Sequence, residues 1–340
     1  MEINLISDTV TKPSSEMLQF MFNAKVGDDV FKADPTVNEF EARVAEMFGM
    51  ESALFFPSGT MANQTAIKLH TQPGEQIIAD KWSHIYLYEG GGASFNSGVS
   101  FNLIDGNRGM ITAEQVRNAI QDPENIHYPK TALVSIENTT NKGGGACYEL
   151  AELRKIKQVC VENNLKLHLD GARLWNALIA KNQSPKDFGA IFDSISICFS
   201  KGLGAPVGSI LISDSATMKR ALRIRKLFGG GMRQAGYLAA AGIFALDNNF
   251  EKLHEDHRRA KELAQVLSKQ NWISKIEPVE TNIVIFEINA SLNENDILDK
   301  LKSKGISIIS MGHGKLRMVT HLDYREVMHS YVLETLVKLY

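Results

Sequence analysis

Lys201 has the most distinctive chemical setting in this chain. It follows residues 194–200, where small polar and apolar residues alternate with the period of a β-strand. A second strand is predicted at 208–212, so Lys201 lies in a loop of small residues between two strands. Burial of an ammonium is costly, and a desolvated lysine is the usual amine for a Schiff base. The alternative is a lysine in a surface hairpin, with its aliphatic stem lying over the loop.

Residues 58–60, Ser-Gly-Thr, end a strand-like segment and begin a helix. Free backbone N–H groups and the helix dipole bind a phosphate at such a turn. The chain has no GxxxxGK[ST] and no GxGxxG, so nucleoside triphosphates and dinucleotides are poor candidates, and one glycine suits a single phosphate group. The alternative is an ordinary helix N-cap by Ser58 or Thr60.

Asp170 comes directly after a predicted strand at 165–169, at the edge of the sheet where ligands bind in open α/β folds. A carboxylate there could hold a proton on a pyridine nitrogen, and Arg173 could bind a carboxylate in bidentate fashion. A helix cap with a surface ion pair is the alternative. No metal site is predicted, because His254 and His257 lie among charged residues and indicate a solvated helix face.

Composition narrows the class of protein. The chain has 340 residues and a net charge of -2, which gives no electrostatic reason to expect nucleic acid or an anionic membrane as a partner. The three cysteines form no CxxC, which suits a reducing cytoplasm. No signal peptide and no apolar run of membrane-spanning length is recognisable. We therefore expect a cytoplasmic protein that acts on a small molecule.

Strand and helix patterns alternate along most of the chain, which predicts a mostly parallel sheet covered by helices on both faces. The predicted strands are 53–56, 76–79, 100–104, 131–136 and 165–169, and the predicted helices include 15–23, 35–48, 149–163, 234–247 and 250–269. The tail, with strands at 282–288, 306–309 and 316–320, predicts a small α+β domain. The predicted division is an N-terminal arm (1–35), a large cofactor-binding domain (36–249) and a small C-terminal domain (250–340).

Together, the phosphate-binding turn, Asp170 and Lys201 describe a site for pyridoxal phosphate. The turn would anchor the phosphate, Asp170 would keep the ring nitrogen protonated, and Lys201 would bond to the aldehyde. Their order along the chain matches the aspartate aminotransferase-like α/β fold, fold type I.

Nine blocks of sequence, in the expected order and nearly end to end, resemble the low-specificity L-threonine aldolase family. These enzymes belong to the β-eliminating lyase group of fold-type I pyridoxal-phosphate proteins. The blocks are SDTVT (7–11), VGDDV (26–30), DPTVN (34–38), SGTMAN (58–63), IENT (136–139), LDGAR (169–173), SKGLGAPVGS (200–209), GGGMRQAG (229–236) and RMVTHLD (317–323). The resemblance implies cleavage of L-threonine or L-allo-threonine to glycine and acetaldehyde.

The resemblance also implies roles for single residues. The implied catalytic residues are Lys201, His84 and His127. The implied cofactor-binding residues are Gly59, Thr60, Met61, His84, Asp170, Arg173, Lys201, Lys226 and Arg233. The implied substrate-binding residues are Ser7, His84, His127, Arg173 and Arg317. In the family, counterparts of Lys226 and Arg233 reach the phosphate region of a neighbouring subunit, which implies at least a dimer. A homo-oligomer in the form of a dimer of dimers is expected.

Two departures from the family leave the preference between threonine and allo-threonine open. Phe31 stands where the family often has Tyr, and Thr140 where a His is common, in front of an unusual loop at 142–147. The base for the β-hydroxyl also stays open between His84, His127 and a bound water. The rival activities are an aminotransferase or a β-eliminating lyase on another amino acid, and the rival class is a cofactor-binding protein without catalysis.

Overall fold

The computed structural model describes residues 2–340, which contain three β-sheets. The strands are β1 (Ile3–Asn4), β2 (Ser52–Phe56), β3 (Gln76–Asp80), β4 (Ser100–Ile104), β5 (Thr131–Glu137), β6 (Lys166–Gly171), β7 (Ser194–Cys198), β8 (Ser209–Ser213), β9 (Ile273–Ile276), β10 (Ile283–Ile288), β11 (Ile306–Ser307), β12 (Ile309–Gly312) and β13 (Lys315–Val319). The helices are α1 (Ser15–Phe22), α2 (Pro35–Phe48), α3 (Gly59–His70), α4 (His84–Leu87), α5 (Gly92–Ser97), α6 (Ala113–Ala119), α7 (Leu150–Glu162), α8 (Leu174–Lys181), α9 (Pro185–Gly189), α10 (Ser215–Leu227), α11 (Gly236–Asn248), α12 (Leu253–Leu267), α13 (Glu294–Ser303) and α14 (Glu326–Val337).

The central sheet has seven strands in the order β2-β8-β7-β6-β5-β3-β4. Strand β8 is antiparallel to both of its neighbours, and the other pairs are parallel. The predicted mostly parallel mixed sheet of the fold-type I class is confirmed. In such a sheet the carboxyl ends of the parallel strands meet at one edge, so the residues that follow β5, β6 and β7 are brought together there.

Local sequence explains why the elements begin and end where they do. Helix α2 begins at Pro35 after the N-cap Asp34, whose carboxylate accepts the N–H of Val37, and it ends at Gly49 in the left-handed conformation. The predicted helix at 35–48 is confirmed. In β7, isoleucines alternate with serines, and all five residues are buried because both faces of the sheet are covered.

A second body is built on the antiparallel sheet β12-β13-β10-β9 and helices α12, α13 and α14. The N-terminal arm joins it, because β1 pairs in parallel with β11, and Ile3 and Leu5 are buried in the same core. The predicted boundaries at residues 35 and 249 stay a prediction.

The predicted solvated face of α12 is confirmed at His254 and Glu255, which are exposed, and is wrong at Asp256 and His257. Asp256 and His257 are buried, and His257 Nε2 lies 2.9 Å from Asn176 Oδ1. The part of α12 that carries these two residues packs on α8. The sequence pattern did not reveal this contact. No helix among residues 2–340 combines the length and the apolar character that a membrane crossing requires.

Candidate active site

Asp170 lies at the carboxyl end of β6, where it is 2% exposed. Its Oδ1 accepts the N–H of Ala172 at 3.1 Å, and its Oδ2 accepts Asn63 Nδ2–H at 2.9 Å. Asn63 follows Gly59 by four residues, so both lie on one face of α3. A buried carboxylate held at both oxygens is fixed in orientation, as a partner for a ring nitrogen has to be.

Glu89 adds a second buried carboxylate beside Asp170. Asn63 Nδ2 also donates to Glu89 Oε1 at 2.9 Å, and Gln64 Nε2 donates to Glu89 Oε2 at 2.6 Å. One ligand atom each from His84, Glu89 and Asp170 lies within 4.8 Å of the others. Two carboxylates so close together favour a cationic group between them, such as a protonated ring.

His84 lies at the start of α4, with Nδ1 at 2.9 Å from Glu89 Oε1. Burial opposes the charged ring, but the hydrogen bond to Glu89 and the charge of Asp170 outweigh it and raise the pKa of His84. Glu89 therefore orients the ring and favours its protonated form, which leaves Nε2 as the free nitrogen of this histidine.

Glu137, at the end of β5, joins this histidine to the loop that follows the strand. Its Oε2 accepts the backbone N–H of His84 at 2.6 Å, and its Oε1 accepts that of Asn141 at 2.7 Å. Burial and the nearby charge of Asp170 raise the pKa of Glu137 to about 7. The Glu137 carboxyl thus links the start of α4 to the loop that follows β5.

Lys201 follows β7, the neighbour of β6, so it lies at the same edge of the sheet as Asp170. Within residues 2–340 the only hydrogen-bond partner of its ammonium is Cys198 Sγ, at 3.3 Å. A Cβ added at Gly59 would lie 2.7 Å from the same sulfur, so glycine is what lets the start of α3 approach β7 this closely.

The start of α3 leaves backbone donors free. The N–H groups of Met61 and Ala62 both donate to Ser58, at 3.2 Å to its hydroxyl and its carbonyl oxygen. Among the described residues, no protein acceptor faces the N–H groups of Gly59 and Thr60. This is the donor set that a phosphate group needs at a helix N-terminus, although Met61 itself is already engaged by the N-cap.

Arg173 is bound by a residue that sequence reasoning missed. Its Nε and Nη2 donate to the two oxygens of Asp8 at 2.8 and 2.6 Å, and both side chains are buried. Burial opposes the charge of Asp8, but Arg173 holds the pKa of this carboxyl down to about 2. The bidentate face of Arg173 is therefore used by Asp8, and only Nη1 points elsewhere.

Arg317 converges with Arg173 on one oxygen. Arg173 Nη1 lies 3.2 Å and Arg317 Nη1 lies 3.1 Å from Asn141 Oδ1. Arg317 Nη2 donates to the carbonyl of Ile6, which places it beside Ser7. Ser7, Arg173 and Arg317 are thus brought together from three distant segments, and their binding of a substrate carboxylate stays a prediction.

Three predicted site residues lie apart from this cluster in the single chain. His127 is exposed in the turn before β5, at the end of that strand opposite to Glu137, and its backbone N–H donates to Asn125. Lys226 is exposed at the end of α10, and Arg233 pairs with Asp28 at 2.9 Å. Their roles stay predictions.

Four of the five missed residues share a signal in the sequence. Asp8, Asn63 and Glu137 lie inside quoted blocks and Asn141 lies two residues after one, and all four are polar. The fifth, Glu89, lies outside the quoted blocks, and no signal in the sequence singled it out.

These residues fit pyridoxal phosphate. The free N–H groups at α3 suit its phosphate, and the buried carboxylate of Asp170 suits its ring nitrogen. Lys201, which has no ion-pair partner among residues 2–340, suits its aldehyde. The sheet order and this arrangement define the class of fold-type I pyridoxal-phosphate folds.

Comparison with known proteins gives the family. The family model described as "Beta-eliminating lyase" matches residues 4–291. The chain is 41% identical to the low specificity L-threonine aldolase of Escherichia coli K12, with 94% of each chain covered. It is 37% identical to a probable low-specificity L-threonine aldolase of Arabidopsis thaliana, covering 99% of this chain and 97% of the relative. A solved Leishmania major threonine aldolase superposes with a TM-score of 0.87 at 23% identity, covering 99% of both chains. The chain belongs to the β-eliminating lyase family, among its low-specificity L-threonine aldolases.

Proposed function

We propose that this protein cleaves L-threonine and L-allo-threonine to glycine and acetaldehyde with pyridoxal phosphate as its cofactor. The observation that carries the proposal is the set of groups that follow β6 and β7 at one edge of the central sheet. These are Lys201, which has no ion-pair partner among residues 2–340, the fixed buried carboxylate of Asp170, and Arg173, whose Nη1 shares the side-chain oxygen of Asn141 with Arg317 of the second body. An amino acid needs all three, because its nitrogen, its carboxylate and the cofactor must be held together for one bond at Cα to break.

Each residue contributes a separable task. Pyridoxal phosphate, when bound, supplies the electron sink for the pair released at Cα. Lys201 would bond to its aldehyde, Asp170 would keep its ring nitrogen protonated, and the N–H groups of Gly59 and Thr60 would hold its phosphate. Arg317, with Nη1 of Arg173, fixes the substrate carboxylate and so selects which bond at Cα stands perpendicular to the ring.

His84 lies in the same chain as Lys201 and is a candidate base for the proton of the substrate β-hydroxyl. Its Nδ1 is engaged by Glu89, so Nε2 is the nitrogen that can exchange a proton with substrate or with a bound water. His127 remains the alternative, and because it lies at the far end of β5 it would have to come from a second copy of the chain.

A homo-oligomer, proposed as a dimer of dimers, is supported by where exposed apolar side chains occur. Ile126, beside His127, is 92% exposed, and Leu227, beside Lys226, is 70% exposed. Phe31, directly after the VGDDV block, is 77% exposed. Large apolar side chains exposed beside predicted site residues or beside a family block are expected where a second copy covers them.

The reducing cytoplasm is the proposed compartment. The three cysteines, Cys147, Cys160 and Cys198, are free and buried.

The test is product analysis. Purified protein with pyridoxal phosphate is incubated with L-threonine, L-allo-threonine and L-serine, and acetaldehyde, glycine and keto acids are measured. Equal amounts of acetaldehyde and glycine support the proposal. Formation of a keto acid with an amino acceptor would instead identify an aminotransferase, and keto acid with ammonia a β-eliminating lyase. The absence of any product would leave only a cofactor-binding protein.

A further inference from the structure

Asn141 holds an unusual position between two guanidinium groups. Its Oδ1 accepts from Arg173 Nη1 at 3.2 Å and from Arg317 Nη1 at 3.1 Å. The other donors of Arg173 are occupied by Asp8, so this oxygen is the point to which the remaining positive charge of both arginines is directed.

The uncharged Oδ1 of Asn141 is a weak hydrogen-bond acceptor for two guanidinium groups. Burial and the charge of Arg173 lower the pKa of Arg317, so the two guanidinium groups repel each other across the gap that Asn141 spans. The single charge of Asp8 balances one arginine and not both. Charge-assisted hydrogen bonds to a carboxylate are stronger than those to an amide, so an anion is the preferred occupant of this gap.

The loop is built so that the side chain of Asn141 can leave while its backbone stays. The backbone N–H of Asn141 is tied to Glu137 Oε1 at 2.7 Å, but the side chain is only partly buried. Within the described residues, Oδ1 receives hydrogen bonds from the two arginines and from no other side chain. Rotation about its side-chain bonds would therefore free both arginines without moving β5 or its loop.

We propose that Asn141 Oδ1 is an internal substitute for one oxygen of the substrate carboxylate, and that it leaves the arginines when the substrate binds. Asn141 then sets the affinity for the α-carboxylate, since each binding event must first break its two hydrogen bonds. This inference rests on the proposed function for its substrate class and adds the residue that competes with that substrate.

The test compares two replacements that should act in opposite directions. Asn141→Ala removes the competitor, so KM for L-threonine should fall about tenfold, which is the effect of one hydrogen bond to a charged group. Asn141→Asp puts a permanent anion between the arginines, so KM should rise at least tenfold, on the order of one charge-assisted pair. In both variants kcat should stay within about threefold of wild type. Asn248→Ala and Asn248→Asp, on the exposed end of α11, are the matched controls.

A second measurement does not depend on turnover. The holo protein is titrated with acetate, and with acetamide as an uncharged control, while its Tm is followed. Acetate should stabilise the Asn141→Ala protein at lower concentration than wild type and the Asn141→Asp protein only at higher concentration, with acetamide inactive. This order would support the substitute role even if threonine were not cleaved, in which case the proposed function alone would fail.

Two outcomes would overturn the role proposed for Asn141. If both replacements raise KM and weaken acetate binding, Asn141 only positions the arginines and the proposal is wrong. If neither replacement changes either quantity relative to the Asn248 controls, Asn141 does not share the carboxylate site.

Discussion

Replacing Asp8 with asparagine isolates the buried ion pair that supports the carboxylate-binding arginines. Asp8 is fully buried, and both of its oxygens accept from Arg173 at 2.6 and 2.8 Å. The Asp8→Asn side chain keeps the size of the carboxyl but loses its charge. Arg173 would then remain in the interior without a counter-ion, and one amide N–H₂ would face its guanidinium donors.

Two values give the expected loss in the free energy of unfolding. The ordinary pKa of 3.8 is lowered to about 2, and one pKa unit corresponds to about 1.4 kcal/mol, so the folded protein favours the charged form by about 2–3 kcal/mol. Removal of one partner from a buried pair costs about 3–5 kcal/mol. We expect the free energy of unfolding to fall by about 3 kcal/mol. Because the pKa is lowered on folding, this stabilisation is complete above about pH 4 and is lost as the pH falls towards 2.

Urea unfolding at neutral pH, at fixed protein and cofactor concentration, measures the effect. The control is Asp247→Asn, which breaks the surface pair with Arg43, where both side chains are more than one third exposed and the expected loss is about 0–1 kcal/mol. KM for threonine should also rise in Asp8→Asn, because Arg173 loses its orientation. Equal unfolding midpoints for Asp8→Asn and Asp247→Asn would refute the reasoning.

Three further predictions concern the cofactor and the substrate. Lys201→Ala should abolish turnover and the visible absorbance of lysine-bound cofactor, and an unchanged spectrum would remove the central assignment. Asp170→Ala should slow the reaction by several orders of magnitude in steady-state assays with saturating cofactor, and a normal rate would mean that the ring nitrogen has another partner. Glu89→Gln should lower the pKa of His84, whose charged form Glu89 now favours, so the limb of the kcat/KM profile that reports His84 should move to lower pH. A profile that coincides with wild type would exclude His84 as the titrating group.

Local chemistry made much of the fold predictable. The Asp34 cap, Pro35 and Gly49 define α2 within their own segment, and the Ser–Ile alternation defines β7. Once strands and helices alternate, the parallel direction of β3, β5, β6 and β7 follows, and their carboxyl ends, with Asp170 and Lys201, then lie at one edge of the sheet. These features depend on short stretches of chain, so a single sequence contains them.

Packing between distant segments was not predictable in the same way. The buried face of α12 depends on α8, and the sequence around Asp256 and His257 carries only the signature of an exposed helix. The same holds for Asn63, whose amide serves two carboxylates that come from α4–α5 and β6.

The sequence by itself determined the types of chemical group and the strand ends from which they project: an amine at Lys201, an acid at Asp170, and a helix start at Gly59. Only the tertiary structure decided their partners. Asp8 and Arg173 are 165 positions apart, and Asn141 and Arg317 are 176 apart, yet each pair is in hydrogen-bond contact. Contacts of this kind depend on how whole elements pack. The free energy that stabilises them comes from packing of the complete core and not from any one segment.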